Sequence, residues 1–404
     1  MTGFDWEKGS WRGDSYRKAS AEVIIASDWA PIRNFAPIIA KEPETVYGDL
    51  MPLLRQVDLR IANLECPLTR LGTPVWKSGS VLKGDPEHVH GLTSVPFEIV
   101  TLGNNHVFDY GLQGFEQTIG LLDAHHIRWT GAGRTAEEAL RPLVVDLNGM
   151  RLGIVNFSEG EDLTAAVGGP GVFGWELDRV VQIVAELKKQ VNAILVIAHC
   201  GVEYIPFPPV YVTQAFQRIA RAGADMIIGH HPHVPQGIQI TEGVPICYSL
   251  GNFVFFQETE LLYRKVGYMV RAGISPSGLT GFSVLPYEIL SDRLTLMRSE
   301  KKQNFLADLK KVSLPLEEER TIAAAWHGFL CRYGVQGFEQ EIGMLLRALA
   351  EEPRKGAAMF RNRIATMQHN QHWIDALTRI IAGNIGDAPR WAVELTEQWM
   401  TQTK

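Results

Sequence analysis

Short apolar runs, each three to six residues long and rich in Ile, Leu and Val, recur along the first 230 residues of the chain. Runs of this kind are typical of β-strands that are buried on both faces. Amphipathic stretches with helical spacing lie between several of them, at 114–125, 176–190 and 211–222. Because strands that alternate with helices pack in layers, the sequence predicts an α/β domain. The runs are Val23–Ala26, Leu59–Ala62, Ile99–Leu102, Leu152–Phe157, Ile194–Ala198 and Met226–Ile228.

The pattern changes twice after these runs. Three further strands are predicted between residues 244 and 290, and we interpret them as an added β layer; they are Val244–Ser249, Gly267–Ile274 and Gly281–Ile289. Beyond residue 300 only helical periodicity remains. We therefore expect a loosely ordered N-terminal extension over 1–20, an α/β domain over 21–300 and a helical C-terminal domain over 301–404. The C-terminal helices should supply packing, homo-oligomer contacts or a wall of the substrate site, and no metal ligand.

The charge and the cysteines indicate which partners and which cellular compartment to expect. The formal charge is −6, from 39 basic and 45 acidic side chains, which argues against nucleic acid as a partner. The four cysteines lie far apart and form no CxxC pair, so we expect reduced thiols. The N-terminus lacks the apolar stretch of a signal peptide, and no apolar run is long enough to span a bilayer. These features predict a cytoplasmic protein without a membrane span.

Residue types that bind metals or transfer protons follow five of the predicted strands. Because ligands in open α/β sheets bind at the carboxyl ends of strands, we expect these side chains to form one pocket. In strand order they are Asp28, then Glu65, then Asn105, His106 and Asp109, then His199 and Glu203, and finally His231 and His233.

The segment Gly229–His233 carries the strongest signal, since it places three histidines within four residues. A lone Asp after a strand is usually a turn or helix cap, and a lone His is usually a satisfied polar group. Histidine is also the commonest metal ligand, and two imidazoles separated by one residue can face one centre from a loop. Ionisable groups clustered at five strand ends therefore favour an active site over a purely structural role.

Five motifs in order give the chain a family resemblance. The strings NLECPLT, GNNHVFDYG, IAHCGVEY, AGADMIIGHHPHVPQ and YSLGNFVF closely resemble the CapA-type poly-γ-glutamate/capsule biosynthesis family, within the calcineurin-like metallophosphoesterase superfamily. The resemblance covers about residues 20–260 and excludes the C-terminal helices. It implies a four-layer α/β/β/α sandwich with a two-metal centre at the strand ends.

The resemblance also implies roles for single residues. Those implied to bind metal are Asp28, Glu65 as the bridging carboxylate, Asn105, His199, His231 and His233. His106 matches the histidine acid that contacts the substrate, and Asp109 would orient its ring. The superfamily's first motif is Asp-x-His, but here the residue two after Asp28 is Ala30. We therefore expect one firmly bound divalent metal and a second that is weak or absent; the mixed ligand set suits Mn, Fe or Zn.

Other candidates lie outside the metal ligands. Lys77 and Lys83 follow Glu65 in a loop-rich stretch and could hold an anionic substrate, although a lone Lys is more often a solvated surface group. Glu203 is assigned to the substrate side of the pocket. The segment Gly168–Gly171 is interpreted either as a mobile loop over the site or as a plain surface turn.

Three functional hypotheses follow. The first is a CapA-like enzyme that uses metal for hydrolysis or transfer on a phosphate ester or a carboxylate-rich peptide or capsule polymer. The second is a metal-independent acid/base enzyme on the same scaffold, such as a peptide epimerase that uses Asp28 and a facing His. The third is a non-catalytic protein that binds an anionic ligand.

Overall fold

Two β-sheets stacked face to face, with helices on both outer faces, form the body of the molecule. The computed structural model describes residues 3–13 and 19–403. Within these ranges the first sheet has nine strands in the order β1-β2-β16-β15-β3-β4-β5-β6, with β17 beside β16, and the second has six in the order β13-β14-β12-β11-β9-β8. A short pair, β7 and β10, lies outside both. The strands are β1 Phe4–Asp5, β2 Ser10–Arg12, β3 Ala21–Trp29, β4 Leu59–Leu64, β5 Ile99–Thr101, β6 Arg128–Thr130, β7 Ala132–Gly133, β8 Leu143–Leu147, β9 Met150–Ser158, β10 Gly171–Val172, β11 Ala193–His199, β12 Met226–His230, β13 Ile238–Thr241, β14 Val244–Cys247, β15 Val266–Ser275, β16 Gly278–Ile289 and β17 Leu294–Leu296.

In the described chain, seven α-helices accompany the sheets and five more α-helices follow them. They are α1 Phe35–Lys41, α2 Met51–Arg55, α3 Val89–Thr93, α4 Gly111–Ala124, α5 Ala136–Leu140, α6 Leu177–Leu187, α7 Val210–Arg221, α8 Ser299–Ser313, α9 Glu319–Glu351, α10 Pro353–Ala365, α11 Met367–Ile381 and α12 Arg390–Thr401. Helix α9 is interrupted at Gly334, whose φ of 58° lies outside the helical region. Among the described residues, no helix is both long and apolar enough to cross a bilayer.

Alternation along the strands builds three apolar layers. In β3, Val23 and Ile25 point between the two sheets, whereas Ile24 points outward toward α1 and α4. Successive side chains of a strand face opposite sides of a sheet, so strands that are apolar on both faces need cover on both. On the far side of the second sheet, α6 and α7 supply that cover through residues such as Val184 and Phe216. The result is the four-layer α/β/β/α order, followed by C-terminal helices, and the predicted fold class is confirmed.

Two local expectations are wrong. Residues 4–12 are not a loose extension, because β2 pairs antiparallel with β16 and extends the first sheet. The strands after residue 244 do not form an added layer. Instead β14 pairs with β12 in the second sheet, and β15 pairs with β3 in the first. Helix α8 buries Phe305 and Leu309 in the layer between the sheets, so it packs with the α/β body.

Candidate metal centre

The carboxyl ends of strands from both sheets meet at one edge and bring the predicted ligands together. Asp28 lies near the end of β3, and Glu65 directly follows β4. His199 is the last residue of β11, and His231 and His233 follow β12 in a tight loop. All five side chains are buried. The parallel pairing of β3 with β4 and of β11 with β12 aligns these strand ends, which is the physical reason for the cluster.

Glu65 lies at the middle of the cluster. Its Oε1 is 3.4 Å from His199 Nε2 and 3.6 Å from His233 Nε2. His233 Nδ1 in turn lies 3.6 Å from Asp28 Oδ2. Two groups that could each hold an ion share this carboxylate: Glu65 with His199 and His231, and Glu65 with Asp28 and His233, each with ligand atoms within 4.8 Å of one another. Glu65 belongs to both groups, and the bridging role that the resemblance implies for it stays a prediction.

The donor atoms of the cluster fit a cation. Within the described part of the chain, Asp28 Oδ2 and both carboxylate oxygens of Glu65 are buried without a hydrogen-bond partner. Unpaired buried carboxylate oxygens are costly unless a cation or a proton compensates them. Burial accordingly raises the pKa of Asp28, and burial together with the nearby Asp28 raises the pKa of Glu65. A divalent ion among these oxygens would satisfy the orphaned atoms.

Burial favours the neutral form of the histidines in the cluster. Burial lowers the pKa of His231 to about 4 and that of His233 to about 3, and burial and the neighbouring imidazoles lower the pKa of His199. Neutral imidazole is the form that binds metal ions. The loop that carries two of these rings has a strained backbone, with φ of 97° at His231 and 56° at His233. Such positions cost about 1–3 kcal/mol each and occur mainly where function requires the geometry.

The group that contains Asp28 has no histidine two residues after the aspartate, where the resemblance implies one. Ala30 stands at that position, is buried, and donates its backbone N–H to Val254 O at 2.7 Å. Asn63 donates to Asp28 Oδ1 at 2.9 Å, so one oxygen of the aspartate is already satisfied. In the described chain, the further carboxylate near His233 is Glu203, whose Oε1 lies 4.0 Å from His233 Nε2. The Asp28 group is therefore the poorer of the two in ligands.

Asn105 presents its amide oxygen to the better-equipped group. Its Oδ1 lies 3.0 Å from His199 Nε2, and its Nδ2 donates to Glu161 Oε2 at 2.7 Å on the other side. A carboxylate accepts hydrogen bonds and cannot donate them when ionised, so Glu161 selects this orientation of the amide. The fuller group thus consists of two imidazoles, a carboxylate and an amide oxygen.

His106, Asp109 and Lys77 form a buried triad beside the cluster. His106 Nδ1 lies 2.7 Å from Asp109 Oδ2, and Lys77 Nζ donates to Asp109 Oδ1 at 2.8 Å. Burial alone would raise the pKa of Asp109, but the attraction of His106 and Lys77 lowers it below its ordinary value. An ionised Asp109 holds the proton of His106 on Nδ1 and leaves Nε2 free. The catalytic roles assigned to His106 and Asp109 stay predictions.

The two lysine candidates lie in different surroundings. Lys77 is almost fully buried and also donates to Asn105 O at 2.8 Å, so it belongs to the site and is not a surface group. Lys83 is partly exposed, donates to Leu71 O at 3.2 Å and lies over the ring of Tyr110. These contacts do not join Lys83 to the ligand cluster.

The segment 168–171 includes the start of β10, which pairs with β7.

Sequence reasoning missed two carboxylates at the site. Glu159 and Glu161 follow β9 closely, in the same strand-end position that identified the other candidates. Burial raises the pKa of Glu159 to about 8. Burial alone would also raise the pKa of Glu161, but His369 and Lys77 hold it well below its ordinary value. Applying the strand-end argument to Leu152–Phe157 would have found both.

An open side of the cluster carries a cation. The guanidinium of Arg264 lies 3.7 Å from the centre of the Tyr204 ring, and that ring stacks on His233 with 5.8 Å between centroids. The Glu203 side chain, 40% exposed, places its Oε1 4.0 Å from His233 Nε2. A guanidinium stacked on an aromatic ring keeps its N–H donors available for a carboxylate or phosphate.

The match to a known family covers the segment that holds this cluster. The model of the bacterial capsule synthesis protein PGA_cap matches residues 17–257, more than half of the chain. The chain belongs to this family. The expected relationship to CapA-type capsule proteins is thereby confirmed, and every residue of the two candidate metal groups lies inside the PGA_cap segment.

Two curated relatives agree with the PGA_cap assignment. The PGA biosynthesis protein CapA of Bacillus subtilis (strain 168) is 29% identical over 253 residues, which are 62% of this chain and 66% of that protein, slightly under two thirds of its length. The capsule biosynthesis protein CapA of Bacillus anthracis is 26% identical over 342 residues, 76% of this chain and 81% of that protein. Among solved structures, a 5'-nucleotidase precursor from Thermus thermophilus is 15% identical with a TM-score of 0.41, covering 72% of this chain and 57% of that one.

Proposed function

We propose that the protein is a metal-dependent hydrolase or transferase of the CapA type that acts on an anionic substrate. The substrate class is a phosphate ester or a carboxylate-rich peptide or polymer of capsule or poly-γ-glutamate metabolism. The names of the relatives refer to PGA and capsule biosynthesis. The observation that carries the proposal is Glu65, whose two buried oxygens lack hydrogen-bond partners in the described chain while His199 and His233 lie on either side. A carboxylate in these surroundings stays ionised only when a cation compensates its charge.

One firmly held ion and one weaker ion suit the ligands. The fuller set is Glu65, Asn105, His199 and His231, and the poorer is Asp28, Glu65 and His233. Nitrogen and oxygen donors in this mixture suit Mn, Fe or Zn. When bound, such an ion supplies an activated water and stabilises charge on the reacting group.

The residues of the chain itself supply acid catalysis and substrate binding. As an imidazolium, His106 would give its Nε2 proton to the leaving group and become a neutral ring that keeps its other proton on Nδ1, where Asp109 accepts it. Arg264, presented on Tyr204 beside His233, would bind a carboxylate or phosphate of the substrate. A site with this cation at its open side favours an anionic substrate.

Metal analysis together with a substrate screen tests the proposal. Protein purified without chelator should contain divalent transition metal, and it should turn over either a phosphomonoester or diester series or poly-γ-glutamate. Chelation should abolish turnover, and added Mn, Fe or Zn should restore it. Protein that takes up no metal under any of these conditions would overturn the proposal.

The acid/base alternative rests on a different observation. Asp28 Oδ1 lies 3.8 Å from His199 Nδ1, close enough for a pair that removes and returns a proton at an amino-acid α-carbon. That reaction predicts exchange of the α-hydrogen of a peptide with deuterium from solvent, at a rate that chelation leaves unchanged. A binding protein would retain an anionic ligand and show neither exchange nor hydrolysis.

A further inference from the structure

We propose that the junction between α10 and α11 is a positioning element of the metal centre, acting through Asn362 and Glu161 on the amide of Asn105. The inference rests on the proposed metal-dependent function and extends it to a part of the chain beyond residue 257, where the family match ends. It assigns a role to helices that the motifs leave unexplained. None of the junction residues is proposed to bind the metal itself.

The amide of Asn105 can serve a metal only in one of its two orientations. Its oxygen must face the histidines, since an NH2 group has no lone pair to offer a cation. Glu161 Oε2 accepts from Asn105 Nδ2 at 2.7 Å, on the side away from His199. Rotating the amide by half a turn would place two oxygens against each other, and Glu161 thereby fixes the orientation that presents the oxygen.

Glu161 is itself held from the C-terminal helices. Asn362, at the end of α10, donates from Nδ2 to Glu161 Oε1 at 2.9 Å and is completely buried. His369 Nε2 in α11 lies 3.2 Å from the same oxygen. The two oxygens of Glu161 are thus divided between the predicted ligand Asn105 and the helix junction. Partners of this kind orient metal ligands and are worth about 10–100-fold in metal affinity.

The turn that carries Glu161 needs support from outside. Gly160, Asp162 and Leu163 all have φ between 57° and 68°, in the left-handed region that residues other than glycine rarely adopt. Asn362 Oδ1 accepts from the backbone N–H of Asp162 at 2.9 Å, and Asn362 Nδ2 also donates to Ser78 Oγ at 2.7 Å. One asparagine therefore fixes both the strained turn and the adjacent loop.

Two further contacts join the junction to the centre. Lys355 in α10 donates to the backbone oxygens of Lys77 at 3.1 Å and Gly79 at 2.8 Å, beside the buried triad. The buried side-chain amide of Gln368 in α11 lies 3.0 Å from His231 Nε2. The junction thus contacts the surroundings of both Asn105 and His231, two ligands of the fuller metal group.

Two substitutions separate positioning from packing. Glu161→Gln keeps the size of the side chain but lets its amide pair with Asn105 in either orientation. Asn362→Asp keeps the oxygen that accepts from Asp162 and replaces the donating NH2 with an oxygen that faces Glu161. The matched control is Asn370→Asp, which removes a donor to Ile364 O at the same junction without touching Glu161.

The readouts are Mn2+ affinity by calorimetry, the visible absorption spectrum of the Co2+-loaded protein, and the melting temperature of each full-length variant. We expect Glu161→Gln and Asn362→Asp to bind Mn2+ about 10–100-fold more weakly and to change the Co2+ spectrum, whereas Asn370→Asp matches the wild type in both. Wild-type affinity and spectrum in both test variants, or an equal loss in Asn370→Asp, would overturn the inference and leave the proposed function standing. A wild-type protein that binds neither ion overturns the proposed function as well.

Discussion

Lys77 Nζ lies 2.8 Å from Asp109 Oδ1, and both side chains are almost completely buried. Burial alone would lower the pKa of Lys77, but Asp109 and the other nearby carboxylates raise it above its ordinary value, so the pair is ionised. The same aspartate accepts from Leu82 N and pairs with His106. A charge pair in this position connects the loop after β4 to the loop after β5, and each loop carries predicted site residues.

Removing the cation of this pair should destabilise the protein. We expect Lys77→Met to lower the free energy of unfolding by about 3 kcal/mol, because Asp109 would keep a buried charge with fewer partners. Lys83→Met is the control, since its partly exposed ammonium makes one backbone contact and lies over Tyr110; we expect a loss below about 1 kcal/mol. Urea denaturation of both variants measures the difference. Equal losses would show that the buried pair contributes no more than the surface lysine.

His106 is predicted to act in catalysis. We expect His106→Ala to lose about 10²–10⁴-fold in turnover while it keeps its metal content and fold, and Asp109→Asn to lose less. The measurements are turnover, bound metal and melting temperature on the same samples. If the two residues only fix the loop after β5, both variants would melt earlier and the folded fraction would turn over substrate at the wild-type rate.

Metal content should reflect the unequal ligand sets. Protein purified without chelator is expected to hold nearer one than two transition-metal ions per chain, and His231→Ala should remove most of the metal. His230→Leu is the neighbouring control. The described chain leaves both ring nitrogens of His230 without hydrogen-bond partners, so an apolar side chain should leave metal content unchanged and stability equal or higher. Two tightly bound ions in the wild type would contradict the expectation that Ala30, in place of a histidine, leaves the second metal weak or absent.

Glu341 makes the stability of the folded protein depend on pH, with a direction that follows from its lowered pKa. Burial alone would raise the pKa of Glu341, but Arg363 and hydrogen bonds from Tyr333 and Trp373 lower it to about 2. A carboxyl with a lowered pKa stabilises the folded state fully above its unfolded value of 4.5, and the contribution is lost as pH falls from there toward about 2. The contribution is at most about 3 kcal/mol.

Glu341→Gln tests this dependence. The variant should be less stable than the wild type at pH 7, and the gap between the two should narrow as the pH is lowered below 4.5. Glu339→Gln, on the exposed side of the same helix, is the control and should follow the wild type. Thermal unfolding between pH 2 and pH 7 measures both; a gap that stays constant with pH would show that the carboxylate charge of Glu341 contributes nothing.

Local sequence signals were sufficient to identify the central strands and the residues that cluster at their ends, whereas the four-layer order was implied by the family resemblance. Every residue of the apolar run Ile194–Ala198 is buried. A run of consecutive apolar residues is therefore enough to predict a strand that is covered on both faces of a sheet. Polar residues after such runs must lie at the carboxyl ends of the strands, and this local rule is enough to predict that Asp28, Glu65 and His199 lie close together. The positions that sequence reasoning found are those whose signal lies within a few residues of a strand.

Only the tertiary structure decided which distant residues complete the site. Lys77 has an ordinary surface pattern in the sequence and is buried because Asp109, 32 residues away, meets it. Asn362 contacts Glu161 across 201 residues, and neither position carries a local signal of the other. Strand β1 pairs with β2, and β2 pairs with β16, which lies more than 260 residues later in the sequence. Contacts of this kind depend on how whole elements pack, and the periodicity of a segment records only which of its faces is buried, not what buries it.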